Sequence, residues 1–351
     1  MEYRRLGRTD LRVSAICLGT MTYGQQNTEA EGFEQMDYAL EQGINFFDTA
    51  ELYSIPPMAE TQGSTERCIG NWFKARGNRD KVILATKVVG RSQMKWFRED
   101  GGPSRLTRAQ MNEAIGKSLK RLQTDYIDLY QLHWPERPAP FGSIPNRFRP
   151  DEWKPASDET PIAEIVEILD GFVKEGKVRH IGLSNESPWG TMRFLFESET
   201  KGRARVQSVQ NAYNLLNRSW ETGMAEVSLR EDVSLLAYSP LAQGFLSGKY
   251  LDGNKPAGAR FTLFNRGQRY ELPHTDVAIR DYLAAAKDFG LDPTQMANAF
   301  VTSRPFVTSN IIGATSMAQL KLAVTSKDIV LPPDLLTRLD DIHQARGNPA
   351  P

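Results

Sequence analysis

INFFD (Ile44–Asp48), VILATK (Val82–Lys87) and YIDLYQLH (Tyr126–His133) decide the fold, because each is a short, apolar, β-rich run that ends in a polar residue. Five more runs of this kind occur along the chain. The eight runs end near Gly19, Asp48, Lys87, His133, Ser184, Gln210, Ser239 and Gly313. Short apolar runs that alternate with helical stretches are typical of βα units feeding a parallel sheet, so the pattern predicts an α/β fold.

Amphipathic stretches separate these runs, since their apolar residues recur at three- and four-residue steps. The stripes are Phe33, Met36 and Leu40; Leu106, Met111, Ile115, Leu119 and Leu122; Ile162, Ile165, Leu169 and Phe172; Met296, Ala297 and Phe300; and Leu335, Leu336, Leu339 and Ile342. Thr107 followed by Gln110 predicts a capping box for the second stripe. Pro161 and Gly176 mark the two ends of the helix predicted for the third stripe, and Asp292 marks the start of the helix predicted for the fourth.

Eight strands that alternate with helices, with no GxGxxG after any strand, favour a (β/α)8 TIM barrel over a two-domain Rossmann enzyme. Residues 3–14 (YRRLGRTDLRVS) indicate an N-terminal β-hairpin that could close the barrel floor. No linker divides the chain, so a single domain is expected over residues 1–351. Two long connections, 136–160 and 250–275, are expected as loops over the C-terminal rim. The first of them contains Phe141, Phe148 and Trp153.

The composition excludes several classes of partner. Lys plus Arg number 43 and Asp plus Glu number 43, so no cationic surplus attracts nucleic acid or an anionic membrane surface. The first residues, MEYRRLGRTD, contain no apolar run, and nowhere do about 18 apolar residues follow one another, so we expect neither secretion nor membrane spanning. Two cysteines, Cys17 and Cys68, offer neither a disulfide framework nor a metal pair. We therefore expect a cytoplasmic protein that binds no nucleic acid, membrane or metal.

Polar residues at the ends of successive barrel strands converge on one rim. Asp48, Lys87 and His133 lie at such ends, and Tyr53 follows five residues after Asp48. An ammonium about 4 Å from a phenolate stabilises it by roughly 4 kcal/mol at an effective dielectric of about 20, or about 3 pKa units. The sequence thus predicts that Lys87 lowers the pKa of Tyr53, so that the phenol donates a proton to an oxygen near neutral pH. Asp48 would keep Lys87 charged, and His133 would orient a carbonyl or relay the proton.

Other motifs leave few alternatives. A lysine at a strand end can form a Schiff base, but this requires a neutral amine, and Asp48 favours the charged one. GFLSGK (Gly244–Lys249) is one residue too short for a P-loop. GLSNE (Gly182–Glu186) lacks the second glycine of a nucleophile elbow.

Seven ordered segments resemble the aldo-keto reductase family, and above all its bacterial Tas-like branch. They are GRTDLRVSAICLGTMTYG (7–24), GINFFDTAELY (43–53), VILATK (82–87), LKRLQTDYIDLYQLHWP (119–135), GKVRHIGLSNE (176–186), VQNAYNLLNR (209–218) and AYSPLAQGFLSGKY (237–250). The resemblance implies hydride transfer from NADPH, lying across the barrel mouth, to an aldehyde or ketone. It also implies a catalytic tetrad formed by Asp48, Tyr53, Lys87 and His133.

The same resemblance implies a set of cofactor-binding residues. Ser184, Asn185 and Gln210 would hold the nicotinamide carboxamide, and Tyr238 would stack on the ring. Thr20 and Met21, with Asp48 beside them, would lie near the ribose. Ser239, Leu241, Gly244 and Lys249 would meet the pyrophosphate, Arg260 the adenosine end, and Gly313, Thr315 and Gln319 the 2′-phosphate.

Two departures from the family pattern affect specificity. Leu322 and Ala323 stand where many relatives have Glu-Asn, so NADH is a possible cofactor beside NADPH. Trp134 and the aromatic residues of the 136–160 connection would supply apolar surface for a small carbonyl substrate. The leading hypothesis is an NADPH-dependent aldehyde and ketone reductase. The alternative is a cofactor-binding regulatory or partner module with weak reductase activity. The sequence predicts no oligomeric state.

Overall fold

The structure is a computed structural model, and it describes residues 1–139, 154–267 and 269–350. Ten strands occur in the described residues: β1 (Tyr3–Arg5), β2 (Arg12–Ser14), β3 (Ile16–Gly19), β4 (Phe46–Asp48), β5 (Ile83–Val88), β6 (Ile127–Leu132), β7 (Val178–Ser184), β8 (Val206–Ala212), β9 (Ser234–Tyr238) and β10 (Val307–Ile312). β3 to β10 form a closed parallel barrel, and β1 and β2 form a separate antiparallel hairpin. The predicted barrel and hairpin are both confirmed.

Helices connect the strands on the outside of the barrel. They are α1 (Glu29–Glu41), α2 (Ser64–Arg76), α3 (Arg108–Leu122), α4 (Ile162–Lys174), α5 (Pro188–Thr200), α6 (Met224–Glu231), α7 (Arg260–Phe264), α8 (Thr275–Asp288), α9 (Pro293–Thr302), α10 (Met317–Thr325) and α11 (Pro333–Arg346). All five predicted apolar stripes lie on or at the start of helices. Their buried faces pack against the outer face of the barrel in the main hydrophobic core.

The capping of α3 differs from the prediction. The Thr107 side chain accepts a hydrogen bond from the Gln110 amide, as expected for an N-cap. The Gln110 side chain, however, accepts from the Arg105 amide at 2.7 Å and donates to the Pro103 carbonyl at 3.1 Å. The chain before α3 folds back over the helix end, so Gln110 bonds that segment and the capping box is only half formed.

The hairpin covers the N-terminal end of the barrel. The Gly7 amide donates to Ser234 Oγ at 2.8 Å, and the Arg8 amide donates to Gln207 Oε1 at 2.8 Å, both near the starts of barrel strands. Gly7 has a positive φ of 53°, and a Cβ there would lie 2.5 Å from the Gln207 carbonyl oxygen. Leu6 and Val13 are fully buried against the residues that fill the barrel interior. The hairpin therefore closes the floor and leaves the opposite end open.

The strand register brings the polar strand ends to that open end. Asp48 pairs with Gly19 on one side and with Ala85 on the other, while Lys87 pairs with Gln131. The two predicted rim connections differ in how much of them is described. The described part of residues 250–275 contains α7 and a short 3-10 turn. Of residues 136–160, positions 140–153, with Phe141, Phe148 and Trp153, lie outside the described residues.

Within the described ranges, no helix is both long and apolar enough to cross a membrane. Those same ranges contain no group of three or more His, Cys, Asp or Glu side chains arranged to hold a metal ion. Cys17 and Cys68 are both free and buried.

Candidate active site

A cavity of about 750 Å³ opens at the C-terminal end of the barrel. Small-molecule sites usually measure roughly 300–1,000 Å³, so the cavity is large enough for a cofactor and a substrate. Seventeen of the nineteen predicted site residues line it: Thr20, Met21, Asp48, Tyr53, His133, Ser184, Asn185, Gln210, Tyr238, Ser239, Leu241, Gly244, Lys249, Arg260, Gly313, Thr315 and Gln319. Lys87 and Trp134 do not lie on its wall.

Lys87 lies directly behind the wall, and its side chain is 0% exposed. Its Nζ donates to Asp48 Oδ2 at 2.6 Å, to the Thr49 carbonyl at 2.8 Å and to Tyr53 Oη at 3.4 Å. These three bonds use all the donors of an ammonium group. The buried cation is thus held between a carboxylate and the phenol that faces the cavity.

The other Asp48 oxygen is also bonded. Asp48 Oδ1 accepts from Gln210 Nε2 at 2.8 Å and from Gln131 Nε2 at 3.3 Å. Gln131 was not among the predicted residues, although its place opposite Lys87 in the neighbouring strand could have indicated it. Both carboxylate oxygens therefore have fixed partners, which orients Asp48 toward Lys87.

The prediction that Lys87 lowers the pKa of Tyr53 below its ordinary value is wrong. Burial of the phenol raises its pKa, and the nearby Lys87 charge lowers it by less than that. The negative charge of Asp48, on the far side of the ammonium, also raises the pKa of Tyr53 and offsets part of the Lys87 effect. For Lys87, burial lowers the pKa, but the charges and hydrogen bonds of Asp48 and Tyr53 outweigh it and the net shift is upward. At neutral pH the site thus holds a charged lysine and a neutral phenol.

His133 stands beside Tyr53, with the two rings edge to face and their centroids 5.5 Å apart. Burial, together with the Lys87 charge, holds the pKa of His133 well below its usual range. The imidazole is consequently neutral at pH 7 and has one N–H donor. Its Nδ1 is buried, and within the described part of the chain it has no hydrogen-bond partner.

A hydrogen-bonded patch joins His133 to the residues predicted to hold a carboxamide. Asn185 Nδ2 donates to the His133 carbonyl at 2.8 Å, and Ser184 Oγ donates to the Gln210 carbonyl at 2.8 Å. The Tyr238 hydroxyl donates to Asn185 Oδ1 at 2.7 Å. Tyr238 in turn accepts from Arg269 Nη1 at 3.1 Å, a residue that the sequence reasoning missed. The patch presents amide and hydroxyl groups on a rigid surface at the cavity wall.

The segment after β9 folds into consecutive positive-φ turns. Ser239, Ala242, Gln243 and Gly244 have φ of 57°, 49°, 57° and 96°. Such local turns can direct several backbone amides toward one point and so form a concave anion-binding surface. A Cβ on Gly244 would lie 3.0 Å from Lys249 Nζ and 2.8 Å from Lys249 Cε. The absence of a side chain at position 244 therefore lets the Lys249 ammonium lie against this backbone.

Three cations face the cavity without neutralising carboxylates. Lys249, Arg260 and Arg266 all line it, and none makes an ion pair with an acidic side chain in the portion of the chain that is described. Burial lowers the pKa of Lys249. Burial and the neighbouring charge of Arg266 lower the pKa of Arg260 to about 10. Lys249 and Arg260 are partly buried, and Arg266 is exposed beside them. Unpaired, partly buried cations are costly unless an anion binds there, so this part of the cavity is suited to phosphate groups. Arg266 was not predicted.

The predicted 2′-phosphate segment, Gly313, Thr315 and Gln319, also lines the cavity. A Cβ on Gly313 would meet nothing within 4 Å, so the backbone there is open to the cavity. Gln319 Oε1 accepts from the Thr315 amide at 3.0 Å and from the Thr315 hydroxyl at 3.1 Å. Leu322 and Ala323 also line the cavity, which gives this end an apolar wall.

Trp134 packs beside the site but outside the cavity wall. Its ring centroid lies 5.0 Å from that of His133, and its Nε1 donates to the Arg91 carbonyl at 2.8 Å. It packs against a small apolar cluster formed by Ala50, Leu52, Ile55, Val89 and Phe97. Leu52 and Ile55, which were not predicted, do reach the cavity next to Tyr53. They supply apolar surface where the sequence reasoning placed Trp134, and the role of Trp134 stays a prediction.

Comparisons with known proteins agree with this geometry. The family model described as Aldo/keto reductase family matches residues 15–344. Protein tas of Escherichia coli (strain K12) is 47% identical over 357 residues, which cover all of both chains. The uncharacterized oxidoreductase YrpG of Bacillus subtilis (strain 168) is 34% identical over 100% of this chain and 98% of that protein. A probable voltage-gated potassium channel subunit beta of Oryza sativa subsp. japonica is 28% identical over 99% of this chain and 98% of that protein.

Proposed function

The chain belongs to the aldo/keto reductase family, and from that premise we propose that it reduces aldehydes and ketones to alcohols with NADPH. Membership supports an NAD(P)H-dependent oxidoreductase that acts on small carbonyl compounds, and the family predicted from the sequence motifs is confirmed. The choice of NADPH, the aldehyde preference and the roles of single residues are our proposal. A cytoplasmic location and a single domain over residues 1–351 stay predictions.

Tyr53 is the proposed acid. When bound, the cofactor supplies a hydride to the carbonyl carbon, and the carbonyl oxygen then needs a proton. Tyr53 lines the cavity with its hydroxyl 3.4 Å from Lys87 Nζ, so the phenolate left behind faces a cation. An alkoxide is a far stronger base than a phenolate, and it can therefore take the proton even from a phenol whose pKa is raised. His133, neutral and 5.5 Å from Tyr53 between ring centroids, would donate a hydrogen bond to the same oxygen.

The cavity fits a phosphorylated dinucleotide by the chemistry of its donors. Lys249, Arg260 and Arg266 give three cations without carboxylate partners among the described residues. Ser239, Leu241 and Gly244 would meet the pyrophosphate through backbone and hydroxyl donors, and Gly313, Thr315 and Gln319 would surround the 2′-phosphate. Ser184, Asn185 and Gln210 would hold the carboxamide, with Tyr238 against the ring. Thr20 and Met21 would lie by the ribose.

The single observation that carries the proposal is that Asp48, Tyr53 and His133, with Lys87 bonded behind them, line a cavity that three cations without carboxylate partners among the described residues also line. The test is NADPH oxidation with 4-nitrobenzaldehyde, measured for the wild type and Tyr53→Phe side by side, with NADH for comparison. We expect a robust wild-type rate that Tyr53→Phe loses, and a lower catalytic efficiency with NADH. Full turnover by Tyr53→Phe would remove the proposed acid.

A second candidate is a regulatory module that binds the cofactor and a partner. The similarity to a potassium channel subunit beta over nearly its whole length favours keeping it. Tight NADPH binding with no measurable turnover on a panel of aldehydes would support it over the reductase. The Schiff-base alternative is disfavoured, because Lys87 is fully buried and its charged form is favoured by Asp48.

A further inference from the structure

A second ion pair is buried next to the catalytic residues. Arg98 Nη1 donates to Glu51 Oε2 at 2.9 Å, and Arg98 Nη2 donates to Glu51 Oε1 at 2.9 Å. The two side chains are 0% and 1% exposed, respectively. This parallel pair of bonds is the strongest and most directional contact that an arginine makes with a carboxylate.

Glu51 lies in the segment that carries the proposed acid, two residues before Tyr53. Its amide donates to the Lys87 carbonyl at 3.1 Å, and its Oε1 also accepts from the Val89 amide at 2.7 Å. Its carbonyl accepts from Gln62 Nε2 at 2.7 Å. The side chain and backbone of Glu51 thus join the Tyr53 segment to the end of β5, which carries Lys87.

Arg98 extends this attachment to a third segment. It follows Phe97, which is buried in the apolar cluster that contacts Tyr53. The Arg98 guanidinium therefore links the connection after β5 to the connection after β4. Between them, Glu51 and Arg98 fix the position of the Tyr53 backbone relative to Lys87.

Stability alone does not explain why an ion pair is buried at this position. Removing two charges from water is expensive, and well-packed apolar residues of the same volume often stabilise a protein as well or better. What apolar residues lack is direction: a fork of two hydrogen bonds holds one geometry, and apolar packing permits several. Catalytic groups must be held within about 0.5 Å of the productive geometry.

We propose that the Glu51–Arg98 pair is a positioning device that holds the Tyr53 phenol against Lys87 and toward the substrate oxygen. The inference rests on the proposed reductase function of the same site. Neither residue lines the cavity or touches the reacting atoms, so both act through Tyr53.

The chain offers a matched control in another buried pair. Arg121 Nε donates to Glu66 Oε2 at 2.7 Å, and the two side chains are 12% and 0% exposed. This pair joins α3 to α2, and Glu66 Oε1 also accepts from the Thr86 hydroxyl on β5 at 2.6 Å, but neither residue bonds the Tyr53 segment among the described residues. Arg98→Met and Arg121→Met both leave a buried carboxylate without its cation, so they should lower the unfolding temperature to a similar extent.

The experiment measures kcat, the Kd for NADPH and the unfolding temperature for both variants. We expect Arg98→Met to lower kcat by at least about tenfold, since a misplacement of about 1 Å can cost about 10²-fold, with the Kd for NADPH within about twofold of wild type. Arg121→Met should keep kcat within about twofold. Equal kcat losses in the two variants would show that Arg98 only stabilises the fold and would overturn the inference.

A double-variant cycle with Tyr53→Phe distinguishes a loss of Tyr53 positioning from a general distortion of the active site. The cycle uses the small residual kcat of Tyr53→Phe, measured over long reaction times. If Arg98 acts by placing the Tyr53 hydroxyl, then Arg98→Met should cause no further loss of that residual kcat. A further loss of the full factor in the double variant would contradict the proposal. If Arg98→Met fails to fold, Glu51→Gln, which keeps the side-chain shape and an acceptor for the Val89 amide, takes its place in the cycle.

The outcomes distinguish this inference from the proposed function. An inactive wild type, or a Tyr53→Phe variant with full turnover, would refute the reductase assignment itself. An active wild type and a Tyr53→Phe variant reduced to a small residual rate, together with full kcat in Arg98→Met, would refute only the positioning role.

Discussion

Removing Lys87 should cost more activity than removing Lys87 and Asp48 together. The structure places the Lys87 ammonium 3.4 Å from the Tyr53 oxygen and 2.6 Å from Asp48 Oδ2. At an effective dielectric of about 20, the ammonium stabilises a Tyr53 phenolate by about 4.9 kcal/mol. The Asp48 oxygen lies at most about 6 Å from the phenolate, so it opposes that charge by about 2.8 kcal/mol or more.

These two energies set the expected losses. Lys87→Met removes the attraction between the ammonium and the phenolate and keeps the repulsion by Asp48. Loss of this attraction lowers the rate by up to about 4,000-fold, at about 1.36 kcal/mol per factor of ten. Asp48→Asn/Lys87→Met removes both, so the net loss is about 2 kcal/mol, or roughly 30-fold. The double variant should therefore be up to about 100-fold more active than the single variant. Burial of the phenol is the main reason why Lys87 does not lower the pKa of Tyr53 below its ordinary value, and the Asp48 charge adds to the effect of burial.

The assay is single-turnover reduction of 4-nitrobenzaldehyde at saturating NADPH, with circular dichroism to verify that each variant is folded. Asp48→Asn alone completes the cycle. It removes the repulsion of the phenolate but also the carboxylate that keeps Lys87 charged, so the two effects oppose each other and its activity should lie closest to the wild type. The electrostatic reasoning would be refuted by a double variant no more active than Lys87→Met, because the Asp48 charge would then not oppose the phenolate.

Three further outcomes are expected. Arg260, proposed at the adenosine end, is a cation that can pair with the 2′-phosphate, which NADPH carries there and NADH lacks. Arg260→Ala should therefore raise the Kd for NADPH by about 10- to 100-fold, the scale of one hydrogen bond between charged groups, and leave the Kd for NADH within about twofold. Fluorescence titration measures both constants, and equal losses would show that Arg260 does not contact that phosphate. Gly244→Ala, whose Cβ would lie 2.8 Å from Lys249 Cε, should raise the Kd for NADPH about tenfold in calorimetry. Gly253 has a similar positive φ, but a Cβ there would meet no atom within 4 Å, so Gly253→Ala should leave the Kd for NADPH unchanged. An equal rise of the Kd in both variants would mean that backbone strain alone causes the effect of Gly244→Ala. Finally, burial lowers the pKa of His133 in the folded protein. As the pH falls below about 6.5, the imidazole of His133 therefore takes up a proton in the unfolded chain before it does so in the folded protein. The free energy of unfolding then falls by up to about 1.4 kcal/mol per pH unit. His133→Asn should show a shallower fall of the unfolding temperature between about pH 6.5 and 5, and an unchanged slope would contradict a buried neutral imidazole.

Much of the site followed from the sequence because barrel strands end at one rim. Asp48, Lys87 and His133 end three successive apolar runs, and closure of the sheet brings their side chains together regardless of the exact loop structures. The cofactor contacts came from the family resemblance and not from periodicity. The structure brings seventeen of the nineteen predicted residues to one cavity, while their roles stay predictions.

What the sequence could not indicate depends on contacts between distant segments. Glu51 and Arg98 are 47 residues apart, and neither periodicity nor motif spacing joins them. Arg266 lies in a connection whose path is set by α7, a helix of five residues that no pattern predicted. The pKa of Tyr53 depends on how deeply the phenol is buried, and burial is not readable from the identities of its neighbours.

The most direct test of the central claim follows the hydride itself. NADPH deuterated at both C4 positions of the nicotinamide is supplied to the wild type and to Tyr53→Phe with 4-nitrobenzaldehyde, and the alcohol is analysed by mass spectrometry. The account predicts one deuterium at the carbinol carbon of the wild-type product and little or no product from Tyr53→Phe. Alcohol formed without deuterium, or labelled alcohol formed equally fast by Tyr53→Phe, would contradict it.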